Sequence, residues 1–190
     1  MVNDGGNQPK LYVFSRNGDI AREIYVNAKN HDWEDLTSDK EGNIYIGDFG
    51  NNLSKRKNLK IHKKYLNKKS AEVENIEFEY ENQENFSSKK KTLLFDAEAF
   101  FYFKNYFYVF TKIRVKKKYG RTFLYKFPAK KGNHIAKLIG ECRNCGDLKC
   151  WITSADISED GTNVVLLSQK NILVFSNFED DNFFSGTVKK

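Results

Sequence analysis

Carboxylates that recur along the chain are the side chains best spaced to do chemistry. Glu34 and Asp35 follow Trp33, Asp96 and Glu98 flank Ala97, Asp156 follows Ala155, and Asp48 closes the segment after the first pair. Glu34 and Glu98 stand 64 residues apart and Asp35 and Asp156 stand 121 apart, two steps of about 60. If a repeating fold brings these positions to one axis, the carboxylates repel one another unless a cation or a lysine neutralises them. An all-oxygen set of this kind suits a hard cation, Ca²⁺ above all. Lys112 is the candidate internal counter-charge. The competing reading is that the acids cap turns and bond backbone, as Asp39 and Asp160 do in turns that carry Gly42 and Gly161.

The cysteines form a second constellation. Cys142, Cys145 and Gly146 make a C-x-x-C-G knuckle, and Cys150 with His134 would complete a four-ligand Zn²⁺ set. No second knuckle accompanies it. A disulfide inside this loop, leaving one odd cysteine, and a plain reduced insertion are the alternatives. There is no G-x-S-x-G and no P-loop. His31, His62 and His134 have no evident partners, and His62, flanked by lysines, is expected at the surface. Trp33 is either a core aromatic between repeats or a wall of a site beside Glu34. Asn51 and Asn52 are expected to form a tight loop, and they offer oxygen ligands only if that loop faces the acids.

These residues must be positioned by strands. The chain has 190 residues, enough for one domain with a core. Its 16 Phe, 10 Tyr and 2 Trp favour half-buried pleated surfaces. A period of two dominates. Residues 10–14 and 20–26 flank a turn containing Asn17-Gly18, a strong hairpin signal. Further strands are expected at 33–37, 44–48, 59–62, 76–80, 96–101, 106–112, 123–127, 152–158, 163–167 and 171–175, with a loop over 66–74. No stretch reads as an amphipathic helix of 10–15 residues, so a parallel α/β sheet is not expected. A fixed period with three or four antiparallel strands per step selects an all-β β-propeller over a sandwich or a lipocalin-type barrel, neither of which needs internal self-similarity. One domain over 1–190 is expected, with blade starts near 33, 96 and 152 and a partial N-terminal blade over 3–26.

The run Leu36-Thr37-Ser38-Asp39-Lys40-Glu41-Gly42-Asn43-Ile44-Tyr45-Ile46-Gly47-Asp48-Phe49-Gly50-Asn51-Asn52 resembles the NHL-type blade, whose pattern contains D-x-x-G-N-I-Y-V-x-D-x-x-N-N. Residues 155–175 are a looser match, and the copy from Asp96 is recognisable mainly by position. More broadly, the segments around Trp33, Gly47, Asp96 and Asp156 resemble uncharacterised bacterial propeller proteins, which are typically longer and often exported. The resemblance implies a further C-terminal blade, hence an incomplete propeller of about three to four blades that another chain or a missing segment would close. It also implies that first strands line a central channel, where Glu34, Asp35, Asp48, Asp96, Glu98 and Asp156 would form an acidic ring. In lactonase-type propellers a central metal held by such residues polarises a carbonyl.

Charge leaves a further option open. The net charge is +7 and the pI about 9.1, which favours a polyanion partner. The basic residues, however, sit in short runs (55–57, 63–64, 68–69, 89–91, 116–118, 130–131) at expected turns and edges, where lysine blocks edge-to-edge pairing. They lack the interleaved aromatics of a stacking platform. No apolar stretch is long enough for a membrane helix, and the first residues have no apolar signal region. Three functions are therefore expected in order: a module binding a ligand or protein at the channel mouth, a metal-dependent lactonase or esterase, and an NHL-like RNA-binding surface.

Overall fold

A computed structural model describes residues 1–66, 72–90 and 92–190. Lys68, Lys69 and Lys91 of the basic runs lie outside the described residues, as does the middle of the loop expected over 66–74. The last part of that loop is already strand. Alternating apolar and aromatic residues give strands throughout. β1 (Lys10–Phe14) and β2 (Ile20–Tyr25) pair antiparallel around Gly18, whose φ of +90° an L residue rarely adopts. Three meanders of four strands follow. The first is β3 (Trp33–Ser38), β4 (Ile44–Asp48), β5 (Leu59–Lys64) and β6 (Val73–Tyr80). The second is β7 (Ala97–Phe103), β8 (Tyr106–Thr111), β9 (Arg121–Pro128) and β10 (Gly132–Arg143). The third is β11 (Ile152–Ile157), β12 (Asn163–Ser168), β13 (Ile172–Ser176) and β14 (Thr187–Lys189).

β10 joins the first two meanders. From Gly132 to Ala136 it runs parallel to β6, and from Lys137 to Arg143 it pairs antiparallel with β9. The result is one eight-stranded sheet in the order β3-β4-β5-β6-β10-β9-β8-β7. Its two ends meet: the Tyr102 amide of β7 donates to Thr37 Oγ1 of β3 at 3.3 Å, so the sheet is nearly closed. The third meander is a separate four-stranded sheet. The chain is all-β, and its sheets are antiparallel apart from the β6–β10 contact.

The hairpin and the three meanders stack face to face, and three apolar layers hold them. Leu11, Val26, Trp33 and Ile46 lie between the hairpin and the first meander. Tyr45, Ile61, Phe78, Phe100, Phe107 and Phe127 lead the layer between the first and second. Phe101, Tyr108, Phe110, Leu166 and Phe175 lead that between the second and third. Rings interlock here, with Phe78 stacked on Phe127 at 4.5 Å between centroids. Each fully buried Phe stabilises the fold by about 2 kcal/mol.

The first strands share one irregularity. Pairing of β3 with β4 skips Glu34, pairing of β7 with β8 skips Glu98, and pairing of β11 with β12 skips Thr153. Each is the extra residue of a bulge at the same place. This register makes Glu34, Glu98 and Thr153 equivalent. It places Asp35 opposite Ala99 and Ser154 in the series, and Asp156 with Thr37. The 121-residue spacing of Asp35 and Asp156 therefore does not superpose them, because the step from the second meander to the third is shorter than the first step.

Candidate binding cleft and the carboxylates around it

Beyond the bulges, the three first strands run side by side and end in tight turns. The β3–β4 turn carries Asp39 to Gly42, the β7–β8 turn Lys104 and Asn105, both at positive φ, and the β11–β12 turn Glu159 to Gly161. Between these strands and turns lies a cleft of about 880 Å³. Six carboxylates line it (Asp35, Asp39, Glu41, Asp156, Glu159 and Asp160) against two lysines, Lys40 and Lys104.

Two of the carboxylates serve their own turns. Asp39 accepts from the Asn43 amide, the Asn43 side chain and Tyr45 Oη, and Asp160 accepts from Ser158 and Thr162. Asp35 is different. Burial pushes its carboxyl up to about 7, the amides of Leu36 and Phe100 oppose that, and the nearby Asp156 charge adds to it. Asp156 is exposed and accepts from the Ile157 amide at 2.8 Å. Tyr102, stacked on Tyr45 with centroids 5.3 Å apart, supplies an aromatic wall.

The remaining acids lie apart from this cleft in three settings, Asp96 and Glu98 sharing the Arg114 guanidinium. Asp48 is fully buried and is a hub: Arg56 Nη2 donates at 2.8 Å, the Asp32 amide at 3.1 Å, and His31 Nδ1 and His62 Nε2 stand at 3.0 and 3.4 Å. Burial alone would raise its pKa, but His62, Arg56 and His31 together hold it well below the usual carboxylate range. Asp96 is buried and accepts from the Asn51 amide at 2.9 Å and from Arg114 Nε at 2.5 Å. Glu98 is bonded to Lys112, and Lys112 and Arg114 both lie 5.0 Å from the centre of the Trp151 ring. Glu34 instead sits with Asp4 and Asp32, one oxygen of each carboxylate lying within 4.8 Å of the others. Burial, then the charges of Glu98 and Asp32, push Glu34 up to about 9. The six acids expected in one ring thus occupy four settings, and only Asp35 and Asp156 share the cleft.

Trp33 is fully buried in the layer between hairpin and first meander. Asn51 is buried and stitches the first meander to Asp96 and, through Oδ1, to the Arg56 amide at 3.0 Å, while Asn52 is exposed. The histidine reading needs correction. His62 is buried, with Nδ1 2.8 Å from Asn75 Oδ1, and His31 has a partner in Asp48. Alternation could not reveal this, because both faces of the first meander are covered and the face opposite Ile61 is not solvent.

Cys145 and Cys150 form a disulfide and Cys142 is free, half-buried, its thiol pushed up by burial. His134 Nε2 contacts the Lys130 carbonyl at 2.6 Å. The four expected zinc donors are not brought together among the described residues. No helix among them is long and apolar enough to cross a membrane. Compared with known proteins, the sequence matches no family model and no curated protein.

Proposed function

We propose that this chain is a β-propeller binding module built of NHL-like repeats, whose cleft at the ends of β3, β7 and β11 takes up a cationic ligand. The observation that carries this reading is the charge reversal of the cleft: six carboxylates and two lysines in a chain of net charge +7. Low-dielectric walls concentrate such a field, which favours ammonium or guanidinium groups over anions. Tyr102 adds a ring face on which such a cation can rest. The shared bulge and the side-by-side first strands support the propeller architecture. Calorimetric titration with a lysine- and arginine-bearing peptide, set against an acidic peptide, tests the function. Binding of the basic peptide, weakened about tenfold by Asp35→Asn with Asp156→Asn, is expected. The affinity falls as pH drops below about 7, where Asp35 takes up its proton. Equal or absent binding of both peptides overturns it.

A second reading rests on the separate group of Asp4, Asp32 and Glu34, whose oxygens lie within 4.8 Å of one another. Ca²⁺ bound there would displace the proton of Glu34, so its affinity would rise with pH up to about 9. Titration in two buffers of different ionisation enthalpy reads the released proton, and Asp32→Asn should abolish the heat. A hydrolase of lactonase type would need this ion and falls with it if no heat is seen.

A further inference from the structure

Antiparallel meanders put alternate connections at the same end. The tight turns around the cleft lie at one end, and the other carries residues 49–58, 81–96, 112–120, 144–151 and 169–171. Hydrogen bonds tie all five connections together. Gln83 Nε2 donates to the Ser54 carbonyl at 3.1 Å, and the Arg114 amide to the Leu93 carbonyl at 2.9 Å. The Asn144 amide donates to the Gly120 carbonyl at 2.8 Å, and Asn171 Nδ2 to Asn144 Oδ1 at 2.7 Å. Among the described residues of these connections, nine lysines are exposed against three exposed carboxylates, Glu81, Glu84 and Asp147. Other acids at this end are drawn inward: Asp48 and Asp96 are buried against Arg56 and Arg114, and Asp4 is the one exposed member of its own group. Charge is thus divided along the molecule, carboxylates around the cleft and lysines here. Two of the connections also hold an aliphatic side chain out to water. Leu53 is 56% and Leu148 48% exposed, and the Cys145–Cys150 disulfide closes the short ring that presents Leu148. Tyr119 and Trp151, both half-buried, meet edge to face with centroids 5.6 Å apart. Single exposed aliphatics are common. Here they project among lysines and beside rings with a polar edge, a combination that suits a boundary between water and hydrocarbon.

We propose that this end docks on the surface of a bilayer rich in anionic phospholipid, its lysines among the headgroups and Leu53 and Leu148 in the acyl boundary. Single-stranded nucleic acid also attracts lysine, but it stacks its bases on open ring faces. Here the Phe86 ring already carries Lys57 Nζ at 4.8 Å, and the Trp151 ring carries Lys112 and Arg114 at 5.0 Å. Exposed leucines, by contrast, gain most from contact with hydrocarbon. The division of charge also orients the chain. An anionic surface attracts the lysine end and repels the cleft, which stays open to solvent. The inference does not rest on the cleft's ligand, so failure of peptide binding leaves it standing.

Cosedimentation of the purified chain with sucrose-loaded vesicles in about 0.1 M salt tests it, phosphatidylcholine alone set against phosphatidylcholine with phosphatidylserine. Binding to the anionic vesicles only is expected. Lys116→Gln with Lys118→Gln should weaken it about 30-fold. Lys130→Gln with Lys131→Gln makes the same charge change at the cleft end and should weaken it less than about twofold. Leu53→Asn with Leu148→Asn should weaken it about tenfold and leave its salt dependence unchanged. All six substituted side chains are exposed, so each variant is expected to fold as the parent does, which far-UV circular dichroism checks. The proposal is overturned if anionic vesicles retain no more of the chain than neutral ones, if the two lysine pairs act alike, or if the leucine variant binds as the parent does. It is overturned equally if a single-stranded oligonucleotide binds more tightly than the anionic vesicles, which would assign this end to nucleic acid.

Discussion

Glu34 and Glu98 are the bulge residues of successive first strands, 64 positions apart, yet only Glu98 has a cation of its own, Lys112. Glu34 faces Asp32, Asp4 and Glu98 instead, and burial with these charges pushes it up to about 9. Its ordinary value is near 4.5, so across the window from there to about 9 the folded chain holds a proton that the unfolded chain has released. Stability therefore falls as pH rises through that window. Glu34→Gln removes the penalty. The variant is expected to exceed the parent by about 1–2 kcal/mol at pH 8, a figure reduced for solvent screening of a half-buried group, and to match it near pH 4. Urea unfolding at both pH values reads this, and a variant less stable at the higher pH would sink the assignment.

Asp48 carries the opposite sign. With Arg56, His31 and His62 around it, its pKa is held well below the usual range, so its stabilising contribution is complete above the unfolded value near 3.8 and is lost as acid protonates it. Asp48→Asn keeps the shape and removes the charge, leaving Arg56 without its buried counter-ion. The expected loss is about 3 kcal/mol at neutral pH and shrinks steadily as pH falls below about 3.8. Thermal unfolding followed at several pH values would show the two curves converging. A constant offset would mean that packing, not charge, is responsible.

How far the sequence reveals this arrangement depends on what each residue type reports. Alternation and the Asn17-Gly18 turn place most strands, because a period of two and a positive-φ glycine are local properties. β10 is not legible: Gly132 to Arg143 mixes polar and apolar residues on both faces, and only its role as bridge between β6 and β9 orders it. β14 is three exposed residues without an apolar pattern. The recurrence of Glu34 and Glu98 is visible as spacing, whereas the partners that separate their chemistry, Lys112 and Asp4, come from other strands and loops. The cleft mixes residues in both states of legibility. Asp35 and Asp156 stand out in the sequence, but their meeting depends on how β3 and β11 flank β7, which no local signal encodes.

The Cys145–Cys150 disulfide closes a loop beside Trp151, the residue against which Lys112 and Arg114 rest. Loop-closure entropy for a ring this short gives about 2 kcal/mol. Cys145→Ser with Cys150→Ser is expected to lower unfolding stability by that amount and to alter Trp151 fluorescence. Thiol titration in denaturant should find one reactive thiol, Cys142, without reductant and three with it. Three thiols in the unreduced protein would refute the pairing.

Gly120 fastens that loop to the second meander, and its substitution separates strain from crowding. It adopts φ +75°, its carbonyl accepts from the Asn144 amide at 2.8 Å, and a Cβ there would lie 2.3 Å from the Cys145 carbonyl oxygen. Gly18 has φ +90° with nothing within 4 Å of the same added atom. Gly18→Ala therefore meets backbone strain alone, about 1 kcal/mol. Gly120→Ala meets that strain and a backbone atom that cannot swing aside, so about 2–3 kcal/mol is expected. Urea unfolding of both variants measures the difference. Because the clash acts on the loop, Gly120→Ala should also speed reduction of the disulfide by dithiothreitol, while Gly18→Ala should not. Equal losses in the two variants would show that the Cys145 backbone yields, and that the loop is held by its disulfide rather than by its seat on Gly120.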